Sequence, residues 1–417
     1  MVLLGIGPVA ALKAALAALI VAGGLGVYGL VYGETSRGDG ALIGALVYLF
    51  LPYHFTDLFR RGELSEFAAY SIVPFALWGY RALGRTTKAG RAWIGALTAV
   101  AHGAVWFYHP IIALCLTALV AMLLCFQVLG ACGRRGTLRY ACFGLCVALL
   151  GTLLASVYLA PAWFEQSLVR LDKLRLYCQP TTKYLVNWRW LFQFGFFSVG
   201  TPSTVGAVVL AAGCALPRIR RNMTGAILWW LPAVLYLPLM VDCRFSVWLW
   251  RVVPLGRYIL FPWRLMGFVG LFAAIGTGVM WASLTPLEWR KLRWAGAALA
   301  GLLIALSSNG YNRAGFVSSL GSARLRPAAI RGGGMITTVA ADEFLPRTVA
   351  IPPEFPRYSQ VLPAPLEVAP AVVHAREVTP LRYAIDAQVS KPTILDLRVF
   401  DFPGWRVETL RGPAKAR

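Results

Sequence analysis

The sequence predicts an all-α polytopic membrane bundle of about ten transmembrane helices, followed by a small C-terminal β-rich domain on the extracytoplasmic side. Three observations carry that prediction. Of the 417 residues 58% are hydrophobic and only 14% charged, with a mean hydropathy of +0.63. A soluble domain uses roughly 25% charged residues to cover its surface, so most of this chain faces something other than water. Apolar runs near the roughly 20 residues needed to cross a bilayer recur along it, and the composition changes in kind beyond residue 310.

Spanning helices are expected near 9–32, 40–56, 64–83, 91–107, 110–131, 140–161, 200–216, 223–241, 259–284 and 294–310. The first is too long for a cleaved secretory signal and reads as a helix that crosses the membrane. Residues 311–340, rich in Gly, Ser and Arg, read as a linker. Residues 341–417 read as part of a β-sandwich, with alternating strand patterns at Ala371–Val378, Leu381–Val389 and Thr393–Phe400.

Basic residues cluster in alternate breaks between these spans. Arg81, Arg85, Lys88 and Arg91 fill one break, and Arg134, Arg135 and Arg139 the next. Arg218, Arg220 and Arg221 fill a third, and Arg290, Lys291 and Arg293 a fourth. The excess of positive charge in cytoplasmic loops places all of these inside. The breaks at 57–63, Tyr108–Pro110, 162–199 and 242–258, and the tail, then face outward. The chain's own start also falls outside, which points to a missing first span.

The net charge of +22 fits helix anchoring at the membrane surface and does not call for a nucleic-acid partner. The same charges allow an anionic or phosphate-bearing lipid partner. Of the eight cysteines, Cys115, Cys125, Cys142, Cys146 and Cys214 lie in apolar runs and read as small buried hydrophobes. Cys178 and Cys243 fall in outward loops, where they are able to pair. No Cys/His metal spacing, glycine-rich phosphate loop or nucleophile elbow is present.

The densest chemistry lies in LPYHFTDLFRRGELSEF, residues 51–67. It brings His54, Asp57, Arg60, Arg61, Glu63 and Glu66 to one membrane boundary. The carboxylates there are suited to general-base work or to a divalent cation such as Mg or Mn, and the arginines to a phosphate. Helix-start acids and head-group anchors account for the same residues. His109, held out of helix by Pro110, sits level with this stretch, whereas His102 reads as a packed histidine within a span. In FPWR, Arg264 lies about one turn inside an apolar run and needs an anion or a route to water. Arg257 stands in the loop before it, among tryptophans that fit an interfacial belt. The loop 162–199 reads as an amphipathic cap.

These motifs carry a resemblance. LPYHFTDLFRRGELSEF, LAPAWFEQ at 159–166, FPWR at 261–264, EFLP at 343–346 and FPGW at 402–405 follow the order of bacterial "6-pyruvoyl-tetrahydropterin synthase-related" membrane proteins. That family resembles a branch of the C-type (GT-C) membrane glycosyltransferases, which take sugars from polyprenyl-phosphate donors on the outer face of the cytoplasmic membrane. The resemblance implies catalytic roles for Asp57, Glu63 and Glu66 and a metal at Asp57 and Glu66. It implies a donor-phosphate contact from Arg264, to which the residues' own positions and charges add His54, Arg60, Arg61, His109 and Arg257 as candidate substrate contacts. The family's earlier span and first acidic loop are not in this chain, which the resemblance reads as truncated at both ends. A transporter or flippase for an anionic or lipid-linked molecule is the competing class, with a non-catalytic membrane scaffold as a third.

Overall fold

The computed structural model describes residues 7–85, 88–130, 135–169, 181–188, 224–252, 259, 261–283, 371–379, 382–389 and 406. The chain divides into two compact units, Met1–Ala162 with Cys178–Phe316, and Trp163–Tyr177 with Val317–Arg417.

The first unit is helical. α1 (Pro8–Thr35) starts on a proline, whose missing N–H costs nothing at that position, and stops where Ser36 turns left-handed at φ 55°. α2 (Gly38–Leu49) follows at once, with Asp39 in its first turn beside Arg37 at 2.5 Å. α3 (Pro52–Phe55), a π-helical turn (Thr56–Arg61) and α4 (Leu64–Leu83) complete the return. Glu34 at the end of α1 receives both Nε and Nη2 of Arg81, at 2.7 and 2.9 Å, and Arg85 Nη2 at 2.8 Å. The turn after α1 and the end of α4 thus share one end of the bundle. α5 (Lys88–Tyr108), α6 (Pro110–Gly130), α7 (Arg135–Leu154) and α8 (Ser156–Phe164) come next. α9 (Thr224–Met240), α10 (Arg244–Val252) and, after a 3₁₀ turn at Pro262–Leu265, α11 (Met266–Ala282) close the described helices.

Without a hydrophobic drive between helices in lipid, close backbone approach supplies much of the packing. A Cβ on Gly40 of α2 would stand 2.5 Å from the carbonyl oxygen of Gly278 in α11. Gly103 of α5 and Gly151 of α7 meet in the same manner, at 2.8 Å. α11 is buried on nearly every side, whereas α1 turns Val21, Leu25 and Tyr32 outward and α7 turns out Leu145, Leu149 and Leu153. Those outward rows are the surface expected to meet acyl chains.

Three segments are long and apolar enough to cross a bilayer: Ala10–Thr35, Gly38–Leu58 and Pro262–Ala282. The pair Leu138–Leu154 and Ser156–Phe164, bent by 66°, makes a fourth if it is one broken span. The expected ten are therefore not reached among the described residues. The expected spans at 64–83 and 91–107 do form helices, but Glu66 and Arg81 dilute one, and His102 with basic residues at the start of α5 the other. The apolar stretches Pro110–Cys125 and Trp229–Met240 are shorter. The expected spans at 200–216 and 294–310 lie outside the described residues.

Two further expectations change. Cys115 is buried, but Cys125, Cys142 and Cys146 point outward; a thiol is apolar enough to face lipid, and hydropathy does not separate that side from the core. Cys243 is free, and its expected partner Cys178 lies outside the described residues. In the second unit, β1 (Ala371–Thr379) and β2 (Arg382–Val389) form an antiparallel hairpin pairing Ala371 with Val389, with a register shift between Glu377 and Thr379. That two-stranded hairpin is what the described residues hold of the expected β-rich domain, and the third expected strand, Thr393–Phe400, lies outside them.

Candidate functional site

The stretch 51–67 folds as three short pieces because its residues forbid one continuous helix. Leu51 is extended before Pro52, which opens α3. The π turn ends on Gly62, whose left-handed φ of 69° favours glycine. Glu63 then precedes α4, which carries Glu66 in its first turn.

These turns bring Asp57 and Arg61 onto one side and aim both at Glu66. Neither carboxylate has accessible surface. Arg61 Nη1 donates to Asp57 Oδ1, and Nη2 donates to Glu66 Oε2 at 3.1 Å. Tyr53 donates its hydroxyl proton to Glu66 Oε1 at 2.6 Å and accepts from Arg61 Nη1 at 3.1 Å. Arg264 places its Nε 3.0 Å from Glu66 Oε2, a charge contact in which the N–H does not point along the line to the oxygen. Two carboxylates and two guanidiniums thus pair in a buried cluster, the condition under which buried charge is tolerated.

Arg264 is held from several sides. Tyr70 of α4 donates its hydroxyl to the Arg264 carbonyl oxygen. Gly267 makes room for that tyrosine, because a Cβ there would lie 2.2 Å from its ring. The guanidinium carbon lies 5.3 Å from the Phe261 ring centre, and Phe261 in turn stacks on Trp263 and meets the edge of Tyr184.

His109 caps α6. The Ile112 N–H donates to its Nδ1 at 3.4 Å, so the neutral ring carries its proton on Nε2, 3.8 Å from Glu66 Oε2. Burial pushes its pKa from 6.5 down to about 4, with the Arg264 charge acting in the same direction. A base depressed on folding binds more protons when unfolded, so stability rises with pH across the interval from about 4 to 6.5. Melting temperatures measured through that window should fall with acidity, and His109→Gln should flatten the decline.

Two polar atoms in the same stretch are buried without a partner, Asp57 Oδ2 and His54 Nε2. His54 sits edge-on to Tyr48 and Phe67. Glu63 stays at the rim, 3.8 Å from Arg61 Nη2 with 40% of its side chain exposed. Of Arg60 only the backbone is described, and Arg257 lies outside the described residues. His102 is bonded at both ring nitrogens, to Tyr80 at 3.2 Å and Thr117 at 3.1 Å, and so is a packing residue.

Asp57 and Glu66 as a pair of cation ligands do not fit this arrangement. The Arg61 guanidinium occupies the position between them that a bridging ion would take, and both Glu66 oxygens are engaged. Among the described residues no group of three or more His, Cys, Asp or Glu side chains is placed to hold a metal. Incubation of the purified protein with EDTA should leave its melting temperature unchanged; a clear fall would restore the cation.

Residues 3–313 match the family model of the 6-pyruvoyl-tetrahydropterin synthase related domain, a membrane protein. The chain belongs to that family. The match takes in both halves of the cluster, the stretch 51–67 and Arg264, within one family unit. No curated protein and no solved structure matches the chain, and the expected resemblance to C-type glycosyltransferases is not shown by these comparisons. Tyr53 and Tyr70 are members of the cluster that sequence reasoning misses. A tyrosine in an apolar run reads as core, and nothing local marks a hydroxyl aimed at a carboxylate.

Proposed function

We propose that the cluster is the substrate site of a membrane glycosyltransferase-like protein, which moves a sugar from a polyprenyl-phosphate donor to an acceptor hydroxyl on the extracytoplasmic face of the bacterial inner membrane. The observation that carries this reading is the difference between the two carboxylates. Glu66 is saturated by Tyr53, Arg61 and Arg264, whereas Asp57 keeps one buried oxygen unengaged. In this reading Asp57 Oδ2 takes the proton of the acceptor hydroxyl. The acceptor oxygen forms a bond to the anomeric carbon, and the bond from that carbon to the donor phosphate breaks. The phosphate leaves with the electron pair and faces Arg264, whose terminal nitrogens donate to no group among the described residues. Glu66 keeps Arg61 and Arg264 in place, His54 meets a sugar or acceptor hydroxyl, and Glu63, Arg60 and Arg257 stand at the approach.

Purified protein supplied with polyprenyl-phosphate-linked sugars should transfer sugar to a hydroxyl acceptor. Asp57→Asn should lower the rate about 100-fold or more while the protein stays folded. Transfer at the wild-type rate by that variant would remove Asp57 from the chemistry.

A second reading has one observation in its favour. Charged groups gathered where a membrane helix is interrupted, here between α2 and α4, are a mark of transporters. Movement of a fluorescent polyprenyl phosphate across proteoliposomes, without any sugar transfer, would establish that reading instead.

A further inference from the structure

We propose that α10 lies in the plane of the membrane surface and binds the head group of an anionic lipid between Arg244 and Arg251. The helix is fixed by one face. Ser246, fully buried, donates to the Pro238 carbonyl oxygen, and Trp250 Nε1 donates to that of Leu239 at 2.7 Å. Both carbonyls belong to the last turn of α9, where the helix leaves them without partners of its own. These bonds pin α10 at the level where the apolar run of α9 ends, at Met240.

The rest of the helix is open. Phe245, Trp248 and Val252 are 53%, 58% and 59% exposed and follow one another at intervals of about one turn along one stripe. Arg244 and Arg251 border it, also exposed. A short helix with an exposed apolar stripe, a tryptophan and flanking arginines is built to lie at the boundary of head groups and acyl chains. Seven residues of helix separate the two arginines by about 10 Å, a span that a phospholipid head group and its glycerol cover. A cleft of about 480 Å³ runs beside them, lined by Asp242, Cys243, Arg244, Val247, Trp248 and Arg251. Neither arginine has an ion-pair partner among the described residues, and with Asp242 counted the cleft keeps one positive charge in excess. That charge and the apolar stripe beside it favour a negatively charged amphiphile. The buried cluster uses none of these residues.

The test takes the full chain in phosphatidylcholine nanodiscs, titrated with phosphatidylglycerol, with retained lipid counted by native mass spectrometry. Wild type should retain phosphatidylglycerol in preference to phosphatidylcholine. Arg244→Gln and Arg251→Gln should each weaken that preference roughly fivefold, with an unchanged melting temperature. Arg244→Lys with Arg251→Lys should keep it, since the charge remains. Equal retention of the two lipids by wild type would overturn the proposal, as would an undiminished preference in the glutamine variants. Displacement of the bound lipid by inorganic phosphate would mark a small-anion site instead, and would also overturn it.

Discussion

Glu66→Ala is expected to cost about 3–5 kcal/mol, the range seen when one partner is taken from a buried ion pair. Among the described residues Glu66 alone touches both guanidiniums of the cluster, and it also accepts the Tyr53 hydroxyl. Its removal takes from Arg264 the carboxylate it touches, leaves Arg61 with Asp57 and the rim carboxylate of Glu63, and leaves a phenol without an acceptor. Asp57→Asn is a milder change, about 1–2 kcal/mol, because Arg61 keeps Glu66 and the amide oxygen still accepts a hydrogen bond. The contrast separates two roles. If Glu66 organises the cluster and Asp57 works in it, Glu66→Ala loses stability and function together, whereas Asp57→Asn loses function and melts near the wild type. Thermal unfolding of the two variants in one detergent measures this. A melting temperature for Glu66→Ala within about 2 °C of wild type, less than 1 kcal/mol moves a domain of this size, would show that the charges are not held by one another.

Gly278→Leu should be comparably severe for a different reason. A Cβ at Gly278 would stand 2.7 Å from the Gly40 carbonyl oxygen and 3.1 Å from the Gly44 Cα. The obstacle is backbone on both counts, so no rotamer change relieves it, and α2 and α11 must move apart along their whole contact. Overpacking of this kind costs typically about 1–3 kcal/mol where side chains are able to give, and more is expected here. Because α2 leads into α3 and α11 follows directly from Arg264, the displacement also pulls the two halves of the cluster away from each other. Gly33→Ala provides the comparison. Its nearest neighbour would be 3.5 Å away, and an alanine in a helix gains up to about 1 kcal/mol over glycine. Melting of the two variants side by side distinguishes loss of contact from a general sensitivity of helical glycines. Equal melting of Gly278→Leu and wild type would mean that the α2–α11 contact does not bind the bundle.

Much of the site could be read from the chain because ionisable residues inside apolar runs are costly and therefore conspicuous. That cost marks Arg264, while Asp57 and Glu66 stand out in a charged stretch at a membrane boundary and through the family resemblance. It did not rank Asp57, Glu63 and Glu66, since a carboxylate's partners depend on turns that no periodicity encodes. The π turn, ending at Gly62, is what buries Asp57 and Glu66 and leaves Glu63 at the rim. Among the described residues fewer helices stand out as spans than the ten expected, for a related reason. A helix such as α4 or α5, packed against other helices, does not need the hydropathy of a lipid-facing one, and length with apolar content is a poor guide to which helices cross. Outward and inward faces were equally hidden, as Cys142 and Cys115 show, because lipid and protein interior select the same side chains.

The bond from Tyr70 to the Arg264 carbonyl joins positions 194 residues apart in the chain. At about 5–20 residues per second, a ribosome takes about 10–40 seconds to pass from one to the other. Throughout that interval Asp57 and Glu66 have the Arg61 guanidinium but not that of Arg264. The cluster is therefore expected to be complete only once the last described helix, with Arg264 at its head, has been made.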